Sequence, residues 1–303
     1  MKIKDILNSR KPFPSLEIVP PQAGMTKASL LKSIAPLMEF NPPFINVTTH
    51  RDEYRYEPQP DGSFARKVVR SRVSPVAVCA AVQSRYAVEV VPHMICGGFS
   101  RWDAGSQLQD FRFMGIDNVM ALRGDSLVGE KRFTASPDGY AHASELVAAL
   151  RAQDGEVCIG VGAYPEKHFE APNLSTDIEH LKAKVDAGAD YIITQMFFDN
   201  AKYLEFVALC RQQGISVPIL PGIKPLTTPR QLELLPEAFS IDIPRELEAQ
   251  LRDCGSDREA FARAGTDWCI RQCRELLAAG VPAIHFYTVG APSAVLKVVS
   301  ELF

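Results

Sequence analysis

Polar side chains recur in this sequence of 303 residues where short apolar runs end, and their types are those that carry chemistry. In chain order they are Glu17, Thr48, Thr49, His50, His93, Arg123, Asp125, Tyr164, Glu166, Gln195, Lys224, His285 and Tyr287. Carboxylates, imidazoles and amides gathered at one place supply proton transfer and hydrogen bonds to a bound ring. A single Thr or His of this kind is more often a core residue whose hydrogen bonds are made within the protein. The set is therefore informative only if the fold brings its members together.

Glu17 is the candidate for acid catalysis. It lies in the stretch Ser15–Pro21, where apolar residues flank it on both sides. Ionisation is costly in such surroundings, so burial predicts a raised pKa for this carboxyl. A carboxyl group that is neutral near pH 7 can donate a proton, which predicts a general acid. The alternative is a Glu that pairs with a nearby Lys or Arg.

The sequence matches neither the phosphate-loop motif nor the dinucleotide-binding motif. Gly124–Lys131 approaches a phosphate-binding loop, but Glu130 stands where that motif requires a Lys after the second Gly. Gly160–Gly162 lacks the third Gly of a dinucleotide fingerprint, and Pro165 falls where its helix would begin. These failures argue against an NTPase and against a Rossmann-type nicotinamide site. The turn at Gly124 nevertheless lets the backbone approach a bound ring closely.

Asp177, His180 and Lys184 occur at helical spacings of three and four residues, which places them on one face of a helix. Such a face suits a ribose and a phosphate, and a solvated charged face is the alternative. No His or Cys cluster has the spacing of a metal site, so no metal is expected. The seven scattered Cys residues contain no CxxC pair and indicate reduced thiols in a cytoplasmic protein.

Eight short runs rich in Val and Ile alternate with segments of helical period, which predicts successive βα units around a parallel sheet. The predicted strands are Ser15–Val19, Phe44–Thr49, Val88–Cys96, Asn118–Arg123, Val157–Ala163, Tyr191–Phe197, Pro218–Ile223 and Ala283–Val289. Eight such units in 303 residues predict an α/β fold, a (β/α)8 TIM barrel, with residues 1–303 as a single domain. Insertions are expected at Arg51–Ser74 and, as an extra helix before the eighth strand, at Pro244–Cys254. A doubly wound open sheet is the alternative.

The polar residues fall where such barrels have their active sites, on the loops at the carboxyl ends of the strands. The helices between the strands have start signals of their own. Thr26, Ser74 and Ser175 each stand before a helical apolar stripe and are the predicted N-caps.

Charge and hydropathy exclude some partners. The chain has 33 Lys plus Arg against 36 Asp plus Glu, a balance that does not favour nucleic-acid binding. No apolar run approaches the ~20 residues that cross a bilayer. Met1–Arg10 has too few apolar residues for the hydrophobic region of a signal peptide. We therefore expect a soluble cytoplasmic protein with small-molecule substrates, no nucleic acid and no membrane partner. Both a monomer and a homo-oligomer stay open.

Taken together, the motifs resemble those of the methylenetetrahydrofolate reductase family along the whole chain. They are Glu17 before Pro20-Pro21, Pro92-His93, Ala121–Asp125, Tyr164–Glu166, Lys184–Asp190, Ile193–Asp199, Pro221–Ile223 and His285–Thr288. The resemblance implies a TIM barrel without a regulatory domain that binds FAD non-covalently. It also implies that NADH or NADPH reduces the flavin, and that 5,10-methylenetetrahydrofolate reoxidises it to give 5-methyltetrahydrofolate. Both steps would be hydride transfers through flavin N5.

The resemblance also implies roles for individual residues. Glu17 would be the general acid that opens the five-membered ring of the folate, and Asp125 would lie beside flavin and pterin. A carboxylate there would stabilise the iminium cation left at N5 of the folate. The folate would be bound by Gln195, Gln231 and Tyr287. The FAD site would comprise Thr48, Thr49, Arg51, His93, Arg123, Gly124, Asp125, Ala143, Tyr164, His168, Asp177, His180 and Lys184.

Several positions depart from the family pattern. Ala183 stands where relatives carry an Arg for the FAD phosphates, and Arg51 is the candidate replacement; Gly290-Ala291 replaces an Asn-Arg pair. Two other functions stay open. One is a flavin-free barrel enzyme, a folate-dependent methyltransferase or a lyase, in which Glu17 and Asp125 do acid and base work. The other is a non-catalytic folate or flavin carrier; flavin absorbance and its bleaching by NADH distinguish the three.

Overall fold

The computed structural model describes residues 1–8, 11–22, 24–51, 53–69, 72–125 and 132–303. In chain order its elements are α1 (Ile3–Ile6), β1 (Phe13–Ile18), α2 (Lys27–Met38), β2 (Phe44–Val47), β3 (Glu53–Pro58), β4 (Phe64–Val69), α3 (Pro75–Gln83), β5 (Glu89–Ile95), α4 (Arg101–Phe113), β6 (Asn118–Leu122), α5 (Ala143–Gln153), β7 (Cys158–Ala163), α6 (Leu174–Asp186), β8 (Tyr191–Met196), α7 (Asn200–Gln212), β9 (Ile219–Ile223), α8 (Gln231–Phe239), α9 (Arg245–Asp253), α10 (Arg258–Ala278), β10 (Ala283–Tyr287) and α11 (Pro292–Leu302). Eight strands close into a parallel barrel in the order β1-β10-β9-β8-β7-β6-β5-β2. The predicted (β/α)8 barrel is confirmed, and the open-sheet alternative is wrong. Each predicted strand is present, and no strand end differs by more than two residues.

The barrel strands are apolar because both of their faces are covered. All four residues of β2 are buried, as are four of the five in β6. One side of each strand faces the outer helices and the other faces the barrel interior. Neighbouring strands pair in a defined register, in which Glu17 lies opposite Tyr287 and Gly222 lies opposite His285. This register tells which side chains share a level of the barrel.

Apolar side chains fill the lower part of the barrel, at the amino ends of the strands. The backbone N–H of Ile3 donates to Asn118 Oδ1 at 2.8 Å, which holds α1 beneath the first residue of β6. The Tyr191 ring packs against Gly160, where a Cβ would lie 2.4 Å from Tyr191 Cζ. The buried cluster comprises Ile3, Leu7, Phe44, Val91, Met120, Cys158, Tyr191, Ile193, Leu220 and Ala283. The polar residues of interest therefore lie above this layer, towards the carboxyl ends of the strands.

Helices begin where the sequence provides a capping side chain. Thr26 caps α2 and Ser74 caps α3, each through its side-chain oxygen, which confirms both predictions. The prediction that Ser175 caps the next such helix is wrong. Asn173 caps α6 instead, because its Oδ1 accepts from the backbone N–H of Thr176 at 2.9 Å. Ser175 thus lies within the first turn, where it cannot serve as the cap.

Two insertions interrupt the barrel pattern. Arg51–Ser74 contains the antiparallel hairpin β3–β4, whose connecting turn includes Gly62 at a φ of +82°. The extra helix expected at Pro244–Cys254 is confirmed as α9. Glu130 and its neighbours in 126–131, which the near-match to a phosphate loop included, lie outside the described residues. Within the ranges that the structure describes, no helix is both long and apolar enough to span a bilayer.

Candidate active site

The carboxyl ends of β1, β5 and β10 bring Glu17, His93 and His285 together inside the upper barrel. Glu17 Oε2 lies 3.6 Å from His93 Nε2 and 3.9 Å from His285 Nε2. Both imidazoles are buried, whereas the Glu17 side chain keeps 15% of its surface exposed. A single carboxyl group therefore faces two rings in a nearly dry site, and its remaining surface is available to a ligand.

Buried polar contacts hold the two imidazoles in place. Ser15 Oγ lies 2.9 Å from His285 Nδ1, and Asn46 Nδ2 lies 3.2 Å from His93 Nε2. Phe44 stacks on His285 with the ring centroids 6.4 Å apart. Because these partners are themselves buried strand residues, the surroundings of Glu17 are organised before any ligand binds.

The ionisation of Glu17 differs from the prediction. Burial raises the pKa of this carboxyl, but the neighbouring groups His285, His93 and Lys224 together lower it below its ordinary value. The contact with His285, at 3.9 Å, is longer than a normal hydrogen bond. Burial also lowers the pKa of His93 to about 4, so this imidazole is neutral near pH 7. The predicted raised pKa is therefore wrong: the groups around Glu17 outweigh its burial and favour the carboxylate form.

Tyr287 forms the wall beside Glu17. Its hydroxyl donates to Thr194 O at 2.7 Å, and its ring meets His285 edge-on with the centroids 5.4 Å apart. Gly222 provides the space for this ring, since a Cβ at that position would lie 2.7 Å from Tyr287 Cε2 and 2.1 Å from Thr194 O. The orientation of Tyr287 is thus set by its neighbours rather than by a ligand.

A second polar cluster joins the loops that follow β6 and β7. Arg123 forms an ion pair with Glu170, and Arg123 NH2 lies 3.4 Å from His168 Nε2. Asp177 Oδ2 accepts from the backbone N–H of His168 at 2.9 Å. The Tyr164 ring meets the His168 ring edge-on, with the centroids 4.7 Å apart. Four residues that the resemblance assigned to one cofactor site are therefore close together.

Lys184 adds a buried ammonium group to this second cluster. Its Nζ donates to Gly162 O at 2.6 Å. Burial lowers the pKa of Lys184 to about 8, while the negative charge of Asp177 opposes the change and Arg123 adds to it. Guanidinium, ammonium and imidazole donors beside a carboxylate suit a ligand that bears phosphate and ribose groups. The residues present therefore fit FAD.

Arg51 and Arg123 meet at one aromatic ring. Their guanidinium carbons lie 5.1 Å and 4.9 Å from the centroid of Phe133, which is the geometry of cation–π contacts. The backbone N–H of Phe133 donates to Glu170 Oε1 at 3.1 Å. The Arg51 guanidinium lies against Gly97, where a Cβ would come within 1.7 Å of Arg51 NH2. Sequence reasoning missed Phe133 and Glu170, because neither residue belongs to a motif and only the fold brings them to the two arginines.

The threonines that follow β2 lie at the edge of the Glu17 cluster. Thr48 Oγ1 lies 3.0 Å from His50 Nε2, and Thr49 Oγ1 donates to the backbone oxygen of His93. Gly124 has a φ of +83°, which confirms a tight turn after β6 and explains why a glycine is needed there.

The remaining predicted residues are more dispersed. Gln195 lies on β8, and its Oε1 accepts from the backbone N–H of the next residue at 2.9 Å. Gln231 begins α8, and its Oε1 accepts the backbone N–H groups of the two threonines before the helix at 2.7 and 2.9 Å. Ala143 is the first residue of α5. Asp125 and His180 are exposed in the ligand-free protein.

A closed parallel barrel with polar clusters at the carboxyl ends of its strands defines a TIM-barrel protein, and characterised TIM-barrel enzymes have their active sites at that end. The sequence model of the family described as methylenetetrahydrofolate reductase matches residues 2–303. The chain therefore belongs to the methylenetetrahydrofolate reductase family.

Curated relatives agree with this assignment. A Caenorhabditis elegans protein named "Probable methylenetetrahydrofolate reductase (NADPH)" is 30% identical over 99% of this chain and 44% of its own length. An Arabidopsis thaliana protein named "Methylenetetrahydrofolate reductase (NADH) 1" is 31% identical over 99% of this chain and 50% of its own length. The chain thus spans about half the length of these two relatives. A Salmonella typhimurium protein named "5,10-methylenetetrahydrofolate reductase" is 31% identical over 91% of this chain and 85% of its own length.

Solved structures share the fold. An uncharacterised protein from Clostridium thermocellum, described as binding two copies of 5-methyl-5,6,7,8-tetrahydrofolic acid, has a TM-score of 0.71 at 15% identity and covers 100% of this chain and 99% of its own. A phosphoenolpyruvate phosphomutase from Streptomyces platensis subsp. rosaceus has a TM-score of 0.52 at 13% identity and covers 99% of this chain and 84% of its own. At such low identities these likenesses support the barrel fold.

Proposed function

We propose that this protein reduces 5,10-methylenetetrahydrofolate to 5-methyltetrahydrofolate, with NADH or NADPH as the electron donor and FAD as the bound cofactor. The observation that carries the proposal is the carboxyl group of Glu17, held between His93 and His285 in a barrel that the family model matches over residues 2–303. The names of the relatives supply the substrate and the electron donors.

The second polar cluster, together with Arg51, would hold the cofactor. Arg51, Arg123 and Lys184 would face the diphosphate, and Asp177 would accept from a ribose hydroxyl, since carboxylates accept and cations donate. When bound, FAD supplies the hydride chemistry, because it takes a hydride from the nicotinamide and returns it to the folate. The protein residues orient the two ligands and manage the proton.

Glu17 would deliver that proton. Opening the five-membered ring breaks the bond between N10 and the methylene carbon, so N10 needs a proton and the methylene carbon is left as an iminium at N5. A hydride added to this carbon gives the methyl product. Because the groups around Glu17 favour its carboxylate form, we expect folate binding to bring a proton with it. The pterin would cover the 15% of the Glu17 side chain that is exposed, and burial favours the neutral carboxyl.

Asp125 and Gln195 would act on the pterin itself. Asp125 directly follows the Gly124 turn and is exposed at the end of the barrel, so a bound ring can approach it. Its carboxylate would stabilise the iminium cation as the ring opens. The Gln195 side-chain amide can donate and accept at once, which suits the mixed donors and acceptors of a pterin edge.

Anaerobic mixing in two steps tests the proposal. The purified protein, reconstituted with FAD, is mixed first with NADH or NADPH and then with methylenetetrahydrofolate, and flavin absorbance is followed throughout. We expect bleaching in the first step and recovery of the absorbance in the second, with one equivalent of 5-methyltetrahydrofolate formed. A colourless protein that cannot be reconstituted with FAD would refute the proposal, and bleaching without reoxidation by the folate would refute the reductase assignment.

A further inference from the structure

Lys224 is a buried cation at the upper end of the barrel that the proposed reaction does not use. It is the first residue after β9, it is 8% exposed, and its Nζ donates to the backbone oxygen of Val289. Lysine is seldom buried, because removing an ammonium group from water is costly. A buried lysine among ligand-binding loops therefore indicates a role for its charge.

The strand register places Lys224 level with Glu17. Gly222 on β9 pairs with His285 on β10, and Tyr287, two residues further along β10, pairs with Glu17 on β1. Side chains alternate along a strand, so residue 224 shares the inward side of Gly222 and continues to the level of Tyr287. One strand separates β9 from β1, and two spacings of ~4.8 Å put Lys224 and Glu17 roughly 9 to 10 Å apart at their Cα atoms.

The loop after β10 connects the two residues. Thr288 Oγ1 donates to the backbone oxygen of Glu17 at 2.7 Å, and the next residue, Val289, accepts from Lys224. The ammonium group and the Glu17 backbone are thus tied to consecutive residues of one short segment. Their relative position is therefore fixed by hydrogen bonds as well as by the barrel.

We propose that Lys224 is a positioning residue for Glu17. Its ammonium group, on the far side of Tyr287, holds Glu17 as a carboxylate before the folate binds. It thereby sets the pH range in which Glu17 can carry a proton to the folate. The inference deepens the proposed function and rests on it for the identity of the proton acceptor. The placement of the two charges does not depend on that identity.

The charges around Glu17 support this role. Among the residues that the structure describes, the titratable groups that interact electrostatically with Glu17 are His93 on β5, His285 and Tyr287 on β10, and Lys224 beyond β9. His93 contributes no charge near pH 7, because burial lowers its pKa to about 4. Burial lowers the pKa of Lys224 too, but the negative charge of Glu17 opposes this change and favours the ammonium form. Each of the two groups thus stabilises the charged form of the other.

Replacing Lys224 tests the proposal in the free protein. Lys224→Gln keeps a hydrogen-bond donor for Val289 and removes the charge, and Lys224→Arg keeps the charge. Carboxyl ¹³C NMR of protein with labelled glutamate, with the Glu17 signal assigned from its loss in Glu17→Gln, gives the titration of this group directly. With the ~9 Å separation of the Cα atoms taken for that of the two charges, an effective dielectric constant of ~20 gives a shift of the carboxyl titration of roughly one pH unit. We therefore expect the Glu17 titration to move up by about one unit in Lys224→Gln and to stay in place in Lys224→Arg.

A matched control is Lys297→Gln on α11, which removes the same charge from a side chain that is 51% exposed. It should leave the Glu17 titration unchanged. In stopped-flow measurements, the high-pH limit of the folate step should move up with the titration in Lys224→Gln, while the NADH step should not move.

Several results would overturn the proposal. An unchanged Glu17 titration in Lys224→Gln would do so whatever the activity. A KM for the folate that rises equally at every pH, with no shift of the limit, would mean that Lys224 binds substrate instead. Equal slowing of both steps would mean that it only holds the loop. If the titration moves as expected but the protein reduces no folate, the positioning role stands and the proposed function fails.

Discussion

The substitution Glu17→Gln should separate the two halves of the proposed reaction. Glutamine keeps the size of the side chain and can still hydrogen-bond, so folding, FAD binding and bleaching by NADH should survive. It cannot protonate N10 of the folate. A general acid typically contributes ~10²- to 10⁴-fold, or about 3 to 5 kcal/mol.

The structure indicates which groups can replace the lost acid. His93 faces the same position but is neutral near pH 7, since burial lowers its pKa to about 4. Water is the other source, and its access is limited because the bound pterin would cover the 15% of the Glu17 side chain that is otherwise exposed. We therefore expect a slow residual folate step rather than none.

Stopped-flow absorbance under anaerobic conditions measures both steps in one variant, so the NADH step is its own control. Wild-type reoxidation should decline as pH rises through the pKa of Glu17 in the folate complex, because the acid is then lost. Glu17→Gln should lack that decline, and Glu17→Asp, a shorter acid, should retain it. Equal slowing of both steps, or an intact folate step, would refute the assignment of Glu17 as the acid.

Three further outcomes are expected. Asp125→Asn should bind FAD and react with NADH normally but slow the folate step about 30-fold. This factor corresponds to ~2 kcal/mol, less than a buried charge beside the iminium would supply, because Asp125 is exposed. An unchanged rate in the stopped-flow trace would reject that role. Gln195→Glu should weaken folate binding far more than NADH binding, as measured by the KM values of the two substrates, and equal losses would count against pterin recognition. His93 is buried in its neutral form, and its pKa is lowered from 6.5 to about 4. The unfolded chain therefore binds a proton at higher pH than the folded protein does. As a result, the free energy of unfolding decreases as the pH falls from 6.5 to about 4. Urea unfolding should show a loss of roughly 3 kcal/mol from this group, and His93→Gln should lose much less over the same range.

The barrel could be predicted because its strands are short apolar runs between helices with clear periodicity. The hairpin β3–β4 was not predicted, although Asp61-Gly62 between two extended segments is a turn signal. Its strands carry charged side chains, and a two-stranded sheet outside the core leaves no apolar pattern to detect. Asn173 and Ser175 are both capping residues two positions apart, so local sequence did not decide between them.

The residues of the site could be predicted from the sequence, but their states of ionisation could not. Glu17 was identified from its apolar neighbours, which imply burial and a raised pKa. The groups that lower this pKa lie elsewhere in the chain: His93 and His285 are on other strands, and Lys224 directly follows β9. Only the closed barrel brings them within range. Glu170 was missed for the same reason, since its partner Arg123 is on a different loop.

Glu17, His93 and His285 are carried by strands, whereas Arg51 and Arg123 are carried by loops. A substitution in the first group alters the packed barrel, so only replacements of similar size and polarity, such as Glu17→Gln, are expected to leave a folded protein. A substitution in the second group changes mainly how tightly a ligand is held, because a loop can shift without disturbing the strands. The loops can therefore be replaced without altering the strands that carry Glu17, His93 and His285, and this separation makes the chain a suitable scaffold for grafted loops.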